Sequence, residues 1–584
     1  MHGKRHFTYL LLITTYLLFG VGMSFSYGQK KKNKKQESSG QTLSTAERAR
    51  AESLFTDGIK SAILEDYPKA ISYLQHSLEI DPSNSAAYFK LAELLFDTGN
   101  LPEAEKSISR AIQLSDSNQY YYQLAADIQA QQGKYEKAAL YYEDMLKKTN
   151  ASPQHILELA VLYLHLNNYD KALQTFERAE KFLGVNEQII LQKQKIHLQQ
   201  NQLADALREG ERLINNFPGE PAYVIYQAEL LLNNQRQQEA IRFLEDYLSK
   251  QPGQPQASYL LGKAYLQQND FAAAEKYLQA AFQSPDLKLE LKVQEIAQLL
   301  QQVNEPEITA LLEPLTTALL EAHPHQSQAY VVRGDYLFAL QQKQAARAAY
   351  LQALALDQNN FQAWQNALSL GLELGRFDSV AREAEEALVM FPNQPAFYYF
   401  SGAANLSKKE FQKAIFALEQ GKEMAYNNPE LQSVFYSHLG DAYNGAKDFK
   451  KSDEAYQAAL EIDPNNDYIL NNYSYYLSLR KEKLGLARKL SEQLIQQNPD
   501  NPNYLDTHAW VLYQLKQYKE ARKHLEKAIQ KGGDQNSTIL EHYGDVLYQL
   551  NEKAQALEQW KKARALPGAS EKLDKKIKDQ SLYE

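Results

Sequence analysis

The chain contains no cysteine. That excludes disulfide staples, cysteine-ligated zinc or iron–sulfur, thiol nucleophiles and a cysteine-linked lipid anchor. Positive charge is scarce beyond the first 35 residues. Those hold seven basic groups (Lys4, Arg5, Lys30, Lys31, Lys32, Lys34, Lys35) and no acid, which leaves 56 basic against 72 acidic groups for the rest. A body of net charge −16 repels phosphate backbones, so a broad nucleic-acid surface is excluded. The sequence lacks a G-x-x-x-x-G-K-[ST] phosphate loop, an H-E-x-x-H metal helix and a G-x-S-x-G nucleophile elbow. With 44% hydrophobic and 23% charged residues in 584, the composition is that of an ordinary soluble chain.

The amino terminus reads as an address. Lys4 and Arg5 precede an uncharged stretch from Phe7 to Gln29 centred on Leu10–Ile13 and Leu17–Phe19. A basic start, an apolar middle and small residues near Ser26 and Gly28 predict a secretory signal over residues 1–28, cleaved near Gly28–Gln29. The same stretch is long enough to span a bilayer uncleaved. The lysines at 30–35 then favour a cytosolic carboxyl side under the positive-inside rule, so export and an inner-membrane anchor both stand as expectations. Residues 29–50 follow as a basic, polar linker.

What the sequence has in abundance is repetition. Ala70, Ala104, Ala138, Ala172, Ala206, Ala240 and Ala274 recur every 34 residues. Fifteen units of that length fit residues 51–570: seven over 51–288, a degenerate one within 289–326, and seven over 327–570. The arithmetic needs four extra residues before units at 293 and 433, one added residue in unit 467–501, and Asn536 as a spacer. Unit position 8 is Gly, Ala or Ser in twelve of fifteen, and position 20 is Ala in twelve. Two helices that approach closely there need tiny side chains. Large residues at positions 4, 7 and 24 fill the seam between units. Proline at position 32, as in Pro82, Pro218 and Pro464, ends the second helix.

With these residues the chain resembles the tetratricopeptide repeat family over residues 51–570. The resemblance implies an all-α fold, a right-handed superhelical solenoid of about fifteen helix-turn-helix units. Residues 571–584 read as a charged capping helix, with Leu573 and Ile577 covering the last unit. Unit 293–326 carries Leu300 and Leu312 at the small positions and Pro314 in its second helix, which predicts a local change in twist and a possible hinge.

The first helices of such a solenoid line a concave wall, drawn from unit positions 2, 5, 9 and 12. In the first half these are apolar, as at Phe89, Phe96, Leu157, Val161, Leu164, Ile225 and Leu232. In the last units they are polar and aromatic: Asp441, Asn444, Asn471, Tyr475, Asp506, Trp510, Tyr513, Glu541 and Asp545, with Tyr548. Aromatic faces among acceptors suit a peptide with basic and apolar side chains, and these residues form the candidate partner-binding set. The same residues also read as a solvated acidic face with packed aromatics.

Chemistry is harder to find. His438/Asp441 and His542/Asp545 each face one way on a helix, yet they lie three units apart and each supplies only two ligands, so no metal site is expected. His323 and His325 fall in a turn and are expected to be solvated. No catalytic residue and no cofactor is expected.

Two family patterns fail to match. Tetratricopeptide co-chaperones clamp a carboxylate with asparagine at position 9, which here is never asparagine. The asparagine ladder of the O-linked sugar transferases, at position 6, survives only as Asn366 and Asn472. The stretch Leu470–Leu477 with Tyr504–Tyr513 looks like the last repeats of bacterial exported proteins of this family.

The expectation is a non-enzymatic scaffold of the bacterial cell envelope, periplasmic or membrane-associated, holding partner peptides or helices. An accessory of polysaccharide export with a possible glycan partner, and an enzyme with a site on the wall, are the alternatives.

Overall fold

The computed structural model describes residues 43–583. Among these residues there are thirty-one α-helices and one short 3-10 turn, with no strand. The helices alternate as first and second members of fifteen hairpins, and the last, α31 (Lys572–Asp579), stands alone. The signal and most of the linker expected over residues 1–50 lie outside the described residues. No helix among the described residues is long and apolar enough to cross a membrane.

Local chemistry sets the helix ends. Many first helices open on a side-chain cap: Asn84, Asn360, Asn428 and Asn466 each accept from a main-chain amide three residues on. Proline occupies the first helical position at Pro221, Pro255, Pro395, Pro429 and Pro502, where a missing N–H is harmless. The turn inside every described hairpin except that of residues 289–322 holds a residue at positive φ. It is glycine at Gly99, Gly133 and Gly375, but Asn167, Gln341, Lys409, Lys447 and Lys516 hold the same place elsewhere.

Packing explains the small residues. Ala70, Ala104, Ala138 and their 34-residue successors to Ala274 are fully buried. A Cβ on Gly402 would lie 2.5 Å from Leu418 Cγ, and one on Gly440 would lie 2.7 Å from Tyr456 Cε1. Apolar clusters run from hairpin to hairpin, as a stack requires, with no single central core. The chain divides into two compact units, one ending at Arg236 and one beginning at Gln237.

Three boundaries differ from the repeat arithmetic. The first helix, α1 (Thr45–Ile63), begins inside the stretch assigned to the linker. Ser44 and Glu47 form a reciprocal capping box that starts it there. Residues 429–432 do not precede a repeat; they add a turn to α23 (Pro429–Gly445).

Residues 289–292 likewise belong to helix α15 (Leu289–Leu300), and the excess length sits instead in a five-residue turn and a long partner, α16 (Pro306–Ala322). In that register positions 4 and 7 are Lys292 and Glu295, where other repeats bury large apolar residues. Both are buried and satisfied. Lys292 Nζ donates to the carbonyls of Phe282 and Ser284, each at 2.7 Å, and approaches His323 Nε2 at 2.8 Å. Burial pulls the Lys292 ammonium down to about 8. Glu295 accepts from the Tyr259 hydroxyl at 2.7 Å and pairs with Lys263 at 3.0 Å. His323 is therefore not a solvated turn residue; burial and then the Lys292 charge lower its pKa. Helix α16 continues through Pro314 and packs directly on α14 (Phe271–Gln283), the preceding second helix.

Candidate functional site: the face of the first helices

The candidate residues sit on four consecutive first helices: α23, α25 (Asp467–Arg480), α27 (Pro502–Gln514) and α29 (Ser537–Gln549). Their acids are not offered to solvent. Asp441 accepts from the Tyr456 hydroxyl at 2.6 Å, from Asn472 Nδ2 at 3.2 Å and from the Tyr468 hydroxyl. Asp506 pairs with His542 Nδ1 at 2.9 Å. Glu541 accepts from Ser570 and from Lys576 Nζ at 2.8 Å. Asp545 accepts from the Trp560 indole N–H at 2.9 Å and from Lys576 Nζ at 2.7 Å.

These contacts follow two rules that the repeat imposes. In the first, position 5 of one first helix meets position 6 of the next. Asn471 accepts from Thr507 at 2.8 Å, Asp506 faces His542, and Glu541 faces Lys576, which continues the period on α31. In the second, an aspartate at position 9 accepts from an aromatic donor at position 24 of its own repeat. The Asp441–Tyr456 and Asp545–Trp560 pairs do this, and so does Asp335 with Tyr350 at 2.7 Å. A group at position 6 of the following repeat completes each clasp: Asn366 toward Tyr350, Asn472 and Lys576. Helix α31 thus continues the register of the first helices over eight residues and is charged on its outer side.

Of the remaining candidates, Tyr513 is buried and Trp510, Tyr475 and Asn444 are half-buried. Trp510 stacks on His542 at 3.9 Å and on Tyr513 at 4.6 Å between ring centroids. Tyr513 is buried and accepts from Gln549 at 3.4 Å. Tyr475 is half-buried, and its phenol is pushed up to about 12 by burial and then by the charges of Asp506 and Glu541. Asn444 is half-buried in the last turn of α23.

Electrostatics agree with a built interior. Burial opposes charge on His542, yet the Asp506 carboxylate overcomes it and raises the imidazole above its ordinary value. Burial raises Asp545, with Lys576 opposing. The two His-x-x-Asp pairs do not converge: His438 bonds the Val434 carbonyl and stacks on Tyr468, while His542 turns to Asp506. Among the described residues no group of three His, Asp or Glu could hold a metal.

The first half of the chain presents the same positions differently. Phe89, Phe96, Leu157, Leu164, Ile225 and Leu232 are half-buried and Val161 is exposed, so apolar surface remains on these first helices. Position 9 there includes Asp127 on α5 (Gln119–Gln131), with Tyr142 at position 24 on α6 (Tyr135–Lys148). Glu158 stands at position 6 on α7 (Gln154–His165). Burial and then the Glu158 charge lift the Asp127 carboxyl to about 7. His155 Nδ1 lies 2.8 Å from Glu158 Oε2, a bond that raises the imidazole. Asp127 stands among the position-9 acids of the sequence, and Glu158, Lys292 and Lys576 are added only by the structure. The position-9, position-24 and position-6 columns carried the signal for three of them.

Comparison with known proteins agrees with the hairpins. Sequence patterns described as tetratricopeptide repeat match residues 63–128, 129–183, 195–255, 231–285, 314–361, 370–423, 434–466 and 507–570. The protein O-mannosyl-transferase TMTC3 of Homo sapiens is 30% identical over 151 residues, which is 23% of this chain and 14% of that protein. The chain therefore spans about a seventh of that relative's length. Three solved structures are aligned over most of the chain, at scores that carry no argument about function. They are the APC/C hetero-tetramer Cut9-Hcn1 (14% identity, 92% of this chain and 98% of that one, TM-score 0.31) and Naa15/Naa10 bound to HypK-THB (15%, 91% and 99%, 0.33). The third is yeast Tom70 (13%, 91% and 94%, 0.28). The periodic pattern, the helical hairpins and these matches place the chain in the tetratricopeptide repeat family.

Proposed function

We propose that the chain is a non-enzymatic scaffold of a bacterial cell envelope that holds partner proteins, as peptides or helices, on the face of its first helices. Tetratricopeptide repeats bind protein partners as a class, and the described residues from Thr45 onward are spent almost entirely on helical hairpins. The observation that carries the reading is the apolar surface left on the first helices of the amino-terminal unit, at Phe89, Leu157 and Val161. Half-buried aromatic and aliphatic side chains in a row offer apolar surface on which a partner helix can anchor. The mannosyl-transferase likeness covers too little of that protein to carry its activity over, and the Ser491–His508 contact at 2.9 Å is buried inside the stack, where no substrate reaches it.

Export rests on the amino-terminal sequence alone. A mature protein beginning at Gln29 supports an exported, envelope-associated scaffold, and an intact Met1 supports a membrane anchor. Crosslinking in cells followed by mass spectrometry tests the scaffold itself. Stoichiometric protein partners are expected, and recovery of a lone monomer under gentle conditions contradicts it. Accessory work in polysaccharide export is the second reading, favoured by the half-buried Trp510, whose indole N–H is buried with no partner. Retention on glycan matrices distinguishes it.

A further inference from the structure

The same three repeat positions recur four times, closed into a clasp in three, and they differ at the group arriving from the next repeat. That group is an amide in two, at Asn366 and Asn472, and an ammonium in the last, at Lys576. In the first it is the carboxylate of Glu158, facing Asp127. The Tyr142 phenol is turned to Glu158, whereas Tyr350 and Tyr456 donate to their aspartates. No hydrogen bond to the Asp127 carboxyl is found among the described residues.

The last clasp shows what such a pair of acids takes. Lys576 Nζ bridges Glu541 at 2.8 Å and Asp545 at 2.7 Å, and it is carried on a helix that buries Leu573 and half-buries Ile577 beside it. Around Asp127 and Glu158 the neighbouring first helices are lined by Phe89, Leu157 and Val161, so apolar surface flanks the acids as it does in the last clasp. Glu158 keeps 34% of its side chain exposed and can be reached from outside.

We propose that Asp127 and Glu158 together receive a lysine or arginine side chain of a partner helix, with apolar residues one turn away seated on Phe89, Leu157 and Val161. This rests on the scaffold reading and names the chemistry of its partner. The incoming cation supplies what Lys576 supplies within the chain, and it lets two acids ionise side by side. The titratable groups acting on Asp127 are Glu158 and His155 from α7, with Tyr142 from α6 turned to Glu158. Raising the pH strips protons from Asp127 and His155, and both changes favour the cation.

The test uses the full chain and a labelled helix-forming peptide of roughly 15 residues, long enough to hold a helix. Its core is Leu-Ala-Ala-Lys-Leu, and analogues replace the lysine by arginine, norleucine or glutamate. Fluorescence anisotropy at neutral pH should show the lysine and arginine peptides binding at least about tenfold tighter than norleucine, with glutamate weakest. In the Asp127→Asn, Glu158→Gln double variant that preference should vanish while norleucine affinity holds. Binding of the lysine peptide should tighten as pH rises from about 6 to 8, through the raised aspartate. Equal affinity for lysine and norleucine, or a preference that survives the double variant, overturns the proposal. Failure of every peptide to bind at about 1 mM also overturns it. Each of these leaves the scaffold reading standing, because in-cell crosslinking tests that separately.

Discussion

The first helices of the carboxyl-terminal unit and those of the amino-terminal unit use the same repeat positions for opposite ends. From α23 onward, the acids and amides at positions 5 and 9 are consumed by the next repeat, and α31 brings Lys576 to Glu541 and Asp545. Before Arg236 position 5 is mostly apolar, and Asp127 stands beside Glu158 with the His155 imidazole, but no lysine or arginine, acting on it. A polar face is therefore a poor guide to a binding face: polar residues in a stack of repeats can be the stitching. The difference moves the candidate docking surface from the residues with the richest chemistry to those with the least.

The comparison can be broken most sharply at Lys576. Lys576→Met leaves Glu541 and Asp545 buried without their cation and should destabilise the last hairpins by about 3–5 kcal/mol. Hydrogen exchange should show α31 and α29 losing protection, and protection equal to the wild type would mean the clasp is ornamental. Next is Gly440→Ala, whose Cβ would meet Tyr456, the phenol of a clasp; about 1–3 kcal/mol should be lost from the denaturant midpoint. Gly485→Ala, which meets open space, should stay within about 0.5 kcal/mol and serves as its control.

Asp127→Asn works in the other direction. The folded carboxyl is raised to about 7, so the native state holds a proton that the unfolded chain releases near pH 4. Native stability is then lost as pH rises from about 4 to 7, and the asparagine variant escapes that loss. Exchange protection of α5 to α7 should be up to about 4 kcal/mol higher in the variant at pH 8, about three pH units at about 1.4 kcal/mol each, and equal at pH 4. Equal protection at both values would remove the unmet acid from the account. The smallest effect is expected at Lys409→Gly: φ there is 61°, and relief of the left-handed conformation should stabilise by about 0.5 kcal/mol, seen as a small rise in melting temperature.

The hairpins were legible because their cause is local and periodic. Ala70 and its successors are small since two helices touch there, and every copy repeats the message. The pairing of Glu541 with Lys576 was hidden because the partners lie 35 residues apart and become neighbours only once the period is carried past the last full repeat. The hairpin at 289–326 was misread for a related reason. Without small residues to anchor the register, Lys292 looked like a spacer, and only its three acceptors show why a lysine can be buried at a position that elsewhere holds Tyr88 or Ile156. The start at Thr45 is hard to see in the sequence because its signal is only the short Ser44–Glu47 capping box, next to a polar stretch without an apolar period.

The central claim is that this repeat stack holds protein partners on its first helices, above all in the amino-terminal unit. Its most direct test places a photocrosslinking amino acid at Val161, exposed on a first helix, and separately at Phe416, 70% exposed on a second helix. Irradiation in cells should trap a discrete, stoichiometric protein partner from position 161 and none from position 416. Adducts from neither position, or equally from both, would contradict the account.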